Sequence, residues 1–185
     1  MKLKKTNAAL AIITTAVLVA HLGYNLIAYI CFYYNQVVSL ISGILVSGLF
    51  IAHGVLAIVI LIHSHDSLSI EYKSLNKRTV FQRITAAVIM VLLPFHVLGY
   101  MLLSKSAGSI FYVLLEAQRF VFYLAVMIHA ALSFSNSLVT LGLLADIGKK
   151  RILDLVLMIV AVLFGIGFAI YVTAMNLFIH GIVQV

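Results

Sequence analysis

The sequence has one cysteine, one proline and few charges. Cys31, being alone, excludes an internal disulfide, a covalent CxxCH haem attachment and a cysteine-ligated iron–sulfur cluster. Any redox centre would have to be held non-covalently by other ligands. The single proline, Pro94, falls inside an apolar run and predicts a kink there. Charged residues make up 9% of the chain against 64% hydrophobic ones. A soluble domain of 185 residues could not cover its surface with so few charges. The mean hydropathy is +1.21.

What is present is a recurrence of apolar runs of about 20 residues, the length that crosses a bilayer. No stretch is long or polar enough for a separate soluble domain. The expectation is one all-α membrane domain over residues 1–185. Its five transmembrane helices fall at about 8–33, 38–62, 81–103, 110–144 and 152–179. Lys2, Lys4 and Lys5 ahead of the first run resemble the start of a signal peptide. That run is too long for one and lacks a clear small-residue cleavage site, so a retained first helix is expected.

The net charge of +7 does not indicate nucleic acid, because the basic residues sit at helix ends instead of forming a groove-binding patch. With the N-terminus inside, the inner loops hold Lys2, Lys4, Lys5, Lys73, Lys77, Arg78, Lys149, Lys150 and Arg151, while the outer loops hold only Lys105. The positive-inside rule therefore predicts N-terminus inside and C-terminus outside. Asp66, Glu71 and Asp146 add acidic groups to the inner face. That face is where a soluble partner would dock, or its loops simply anchor the helices in the headgroups.

Of seven histidines, His63, His65 and His180 lie near membrane edges, where interfacial solvation accounts for them. His21, His53, His96 and His129 lie deep in helices one to four, one per helix. An ionisable side chain at that depth is costly, by up to about 3 kcal/mol. A lone buried histidine usually bonds to a neighbouring helix. Four, one on each of four helices, fit axial ligation of two b-type haems, each clamped by imidazoles from facing helices. Gly54 adjoins His53, and Gly99 and Ala125 lie one turn from His96 and His129. Small residues there would admit a flat macrocycle, or would only let helices pack. Counting about 1.5 Å per residue places His21 and His96 slightly beyond the midplane and His53 and His129 slightly nearer the inner face.

These residues sit in stretches that look familiar: Leu18-Val-Ala-His21-Leu, Phe50-Ile-Ala-His53-Gly, Phe81-Gln-Arg-Ile-Thr85 leading to Phe95-His96-Val97, and Phe122-Tyr123 leading to Phe134-Ser-Asn136. In order and spacing they resemble the cytochrome b membrane-anchor subunit of succinate:quinone oxidoreductases, in its single-subunit, five-helix, di-haem form. The resemblance implies that helices one and three hold an outer haem and helices two and four an inner one. It implies a flavoprotein subunit and an iron–sulfur subunit on the cytoplasmic face, with electrons passing between them and menaquinone. The subunit alone would not oxidise succinate. The family's fourth ligand directly precedes Phe-Ser-Asn, where this chain has Ser133 and the nearest histidine, His129, comes one turn earlier. Either His129 ligates a displaced inner haem, or the inner site is altered or lost.

Arg83, at the inner start of helix three, would hold a haem propionate or mark the interface. Glu116 and Arg119, three apart in helix four, would form a local ion pair, exchange protons with quinone, or pair with the outer haem's propionates. Two rival readings are a small transporter and a haem-free anchor whose histidines bond between helices.

Overall fold

A computed structural model describes residues 2–33, 35–63, 73–103 and 109–179. They form five helices: α1 (Lys2–Cys31), α2 (Gln36–His63), α3 (Lys73–Leu103), α4 (Ser109–Leu141) and α5 (Ile147–Ile179). All five are long and apolar enough to cross a membrane. The expected turn at Lys105, and His65, Asp66, Glu71 and His180, lie outside the described residues.

Helix ends depart from the hydropathy reading where backbone chemistry overrides it. Helix α3 begins eight residues early and α5 five, because the lysine-rich stretches preceding the apolar runs are themselves helical. Helix α4 ends at Leu141, not at residue 144. Gly142 takes a left-handed φ of 80°, and the amides of Leu143 and Gly142 return to the carbonyls of Leu138 and Val139 at 2.9 and 3.0 Å. This is a Schellman end, which glycine adopts without strain. Asp146 then caps α5 through a 3.0 Å bond from the Lys149 amide to its Oδ1. Gly142→Ala is expected to destabilise the protein by about 1 kcal/mol, read as a lower midpoint of unfolding in detergent. An unchanged midpoint would count against this account of the turn. Helix α3 runs through Pro94 as one continuous helix.

Helix α4 is the hub, packed against α1, α3 and α5. Helix α2 packs on α1, touches α3 slightly, and does not approach α4 backbone to backbone. The shared core is Leu18, Val46, Ile89, Leu93, Phe122, Ala125 and Val126. Most large apolar side chains face outward, among them Ile44, Leu163 and Phe164. In a bilayer that outward face is solvated by lipid tails. What holds the helices together is then close packing and interhelical hydrogen bonds. Gly54 and Gly99 serve this packing: a Cβ on Gly54 would stand 2.9 Å from Met90 Sδ, and one on Gly99 3.0 Å from Leu115 Cδ1. Their smallness is taken up by neighbouring side chains.

Candidate functional site

The buried polar groups form levels along the bundle, and α4 contributes to nearly all of them. At the lysine-rich end, where α1, α3 and α5 begin, Arg78 of α3 reaches Asp154 of α5. Its Nη2 donates to Asp154 Oδ1 at 2.7 Å and to the Leu132 carbonyl of α4 at 2.9 Å. The Ser135 hydroxyl donates to the same carboxylate, and Lys150 Nζ joins it at 3.1 Å. Three helices are thereby clasped at one carboxylate. Hydropathy had placed Arg78 in a loop and passed over Asp154. The available signal was a lone acid in an apolar run, which at such a position needs a named partner. Arg83, one turn onward, is exposed and stands apart from this clasp.

One level further in, the structure brings His53 of α2 and His129 of α4 together, ring centroids 6.4 Å apart and planes 66° to one another. The His129 Nδ1 lies 3.1 Å from the Gln82 carbonyl and 3.1 Å from Thr85 Oγ1. A carbonyl only accepts, so Nδ1 carries the proton and Nε2 the lone pair. His53 Nδ1 is buried and has no hydrogen-bond partner among the described residues. Two imidazoles on one metal, with bonds of about 2.0 Å, put their centroids about 6 Å apart. The spacing therefore suits an iron. The volume does not suit a macrocycle: the cavity here is about 30 Å³, bounded by Thr14, Thr15, Phe50 and Ser133 as well as the two histidines. That is room for a water. Ser133, at the ligand position the family resemblance points to, is spoken for. Its hydroxyl donates to the His129 carbonyl at 2.6 Å and accepts from Gln82 Nε2 at 2.8 Å.

Beyond this lies a cavity of about 1150 Å³ with His21 of α1 and His96 of α3 both in its wall. It occupies the space left because α2 stands off from α4, with Phe164 and Phe168 of α5 along one side. His96 stacks on Phe122 at 4.6 Å and meets Tyr123 edge-on at 5.6 Å, so two α4 aromatics fix its ring plane. His21 is held by Ser42, 2.9 Å from Nδ1, and Asn25, 3.1 Å from Nε2. Last comes the Glu116–Arg119 ion pair, 3% and 1% exposed. It is the local pair that its spacing allowed, and it is almost wholly buried. His63 is exposed at the end of α2, its Nδ1 donating to the Val59 carbonyl at 2.9 Å.

Among the described residues, no three of His, Cys, Asp or Glu converge as a cage for a bare metal ion. The deep histidines are disposed two by two. A pair of imidazoles completes the coordination of a metal only when the remaining ligands arrive with it, as in a macrocycle. No protein-family model, no curated protein and no solved structure matches this chain.

Proposed function

We propose that this chain is a membrane-embedded cytochrome b subunit, holding haem b between His21 and His96 and passing electrons between an iron–sulfur partner and menaquinone. The observation that carries the reading is the cavity of about 1150 Å³ with a histidine from each of two helices in its wall. A ligand of matching size would recover packing contacts that this space otherwise forgoes. The lining fits a porphyrin: apolar and aromatic along its length, with Phe122, Tyr123 and Phe168 for the ring faces. The bound group supplies a one-electron centre in the apolar layer. The protein holds the His96 imidazole flat against Phe122 and keeps water away with the outer ring of aliphatic side chains. Ligation through His21 Nε2 requires the Asn25 amide to turn away from that nitrogen.

The inner pair, His53 and His129, has the spacing for an iron without the volume for a porphyrin, so no electron step is assigned to it. In this reading Arg83, exposed ten residues into α3, and the Glu116–Arg119 pair are the candidates for propionate or quinone contacts. The chain sits in the cell membrane with its N-terminus inside and its C-terminus outside. The lysine-rich end then faces the cytoplasm, where an iron–sulfur subunit and a flavoprotein subunit would dock. Catalysis on succinate or fumarate would belong to those partners.

The test is colour and stoichiometry. The purified full chain is expected to show a Soret band, visible bands that sharpen with dithionite, and at least one haem b per chain. A ratio of two that falls to one in His129→Ala, but not in Ser133→Ala, would mean that α2 and α4 part to admit a second group. A colourless protein from haem-replete cells would defeat the reading in favour of a haem-free anchor, with the histidines as interhelical bonds.

A further inference from the structure

The α1–α2 hairpin sets the register at His21. Tyr24 Oη accepts the Asn35 amide at 2.9 Å and donates to the Asn35 carbonyl at 3.1 Å. Asn35 Oδ1 caps α2 by accepting the amides of Val37 and Val38 at 3.0 and 3.2 Å. With both helices pinned there, Ser42 comes to stand beside His21. Asn25 donates its Nδ2 to His21 Nε2, and an amide nitrogen can only donate, so Nε2 holds the lone pair and Nδ1 the proton. The proton on Nδ1 goes to Ser42 Oγ. The Ser42 hydroxyl in turn donates to the Ser39 carbonyl at 3.1 Å. The chain of bonds has one direction, from imidazole to hydroxyl to backbone. Next to it, a methyl on Gly43 would lie 3.9 Å from His21 Cε1, so α2 also walls the ring on that side.

We infer that Ser42 is a positioning residue for His21, setting its tautomer and raising the basicity of Nε2 toward the metal. The inference rests on the haem reading given above. A histidine that ligates a metal through one nitrogen almost always donates from the other, and that second bond fixes the ring and tunes the metal. A more basic imidazole favours ferric iron, so losing the Ser42 acceptor makes the iron easier to reduce. His129 has the same arrangement with a backbone carbonyl as acceptor, which substitution at Gln82 does not remove. At His21 the acceptor is a side chain, and the role can be deleted. A serine that only glued α1 to α2 would change stability and leave the iron's potential where it was.

The experiment is a spectroelectrochemical titration of the purified full chain with its haem, together with haem-to-protein ratios. Ser42→Ala is expected to keep its haem and to move the midpoint of the His21 haem positive. Ser42→Thr, which restores a hydroxyl, is expected to bring it back. Where Ser42→Ala does not accumulate, Ser42→Cys, a weak acceptor, is expected to shift the midpoint in the same direction by less. A haem-bearing Ser42→Ala or Ser42→Cys protein with the wild-type midpoint overturns the role of Ser42 and leaves the haem reading standing. A wild-type chain without haem overturns both.

Discussion

His96→Ala is expected to lose one haem per chain, the full complement of the large cavity, and His21→Ala to lose the same one. Each replacement leaves a single axial imidazole on a group otherwise held only by packing. The signature is a fall of one in the haem-to-protein ratio, or a five-coordinate spectrum where the group is retained. His53→Ala serves as the comparison, since its ring lies at the 30 Å³ cavity and not in the wall of the large one. Wild-type ratio and spectrum in both His21→Ala and His96→Ala would sink the assignment. The Phe122 ring stacked on His96 makes the second outcome informative, because it keeps the pocket shaped even when the imidazole is gone.

The second large effect is on folding. Glu116→Ala takes the carboxylate from an Arg119 that is 1% exposed. Removing one member of a buried pair typically destabilises by about 3–5 kcal/mol, because the other charge stays desolvated. For a chain of this size that corresponds to a midpoint on the order of 10 °C lower. Replacing both partners with leucine is expected to recover most of the loss, since an apolar pair of similar volume has no charge to desolvate. If Glu116→Ala melted within about 1 kcal/mol of the wild type, the pair would not be holding the fold. If the double variant were no better than the single one, the carboxylate's importance would lie elsewhere than in neutralising Arg119.

The number and type of helices could be read from hydropathy because a bilayer demands long apolar runs and nothing subtler. Their ends could not, because hydropathy reports only the apolar layer. The turns at Lys73 and Lys149 are helical outside it, and Gly142 and Asp146 stop and restart the chain by backbone bonding. Counting residues gave the depths of the four histidines, but not which helices face each other; that His53 and His129 stand side by side depends on how α2 and α4 meet. The Arg78–Asp154–Ser135 clasp was out of reach. Its members lie 57 and 76 positions from Arg78, and a single aspartate barely lowers the average of the apolar run that contains it. Ser133 was visible only as a departure from a family pattern. That it bonds Gln82 depends on how α3 and α4 face each other, which no local pattern encodes.

Helix α4 carries Glu116, Arg119, Tyr123, His129, Ser133 and Ser135, and it packs on three of the other four helices. One residue added near its middle, after Tyr123 for example, would turn everything beyond it by about 100°. His129, Ser133 and Ser135 would swing out of line together while Arg119 stayed in place, breaking several helix contacts in one step. Helix α2, much of whose surface is turned to lipid, has fewer partners to lose by the same rotation. Insertions and deletions should therefore be purged from α4 far more strictly than from α2. The polar spacing along α4 acts as a fixed gauge against which the other helices are cut to length.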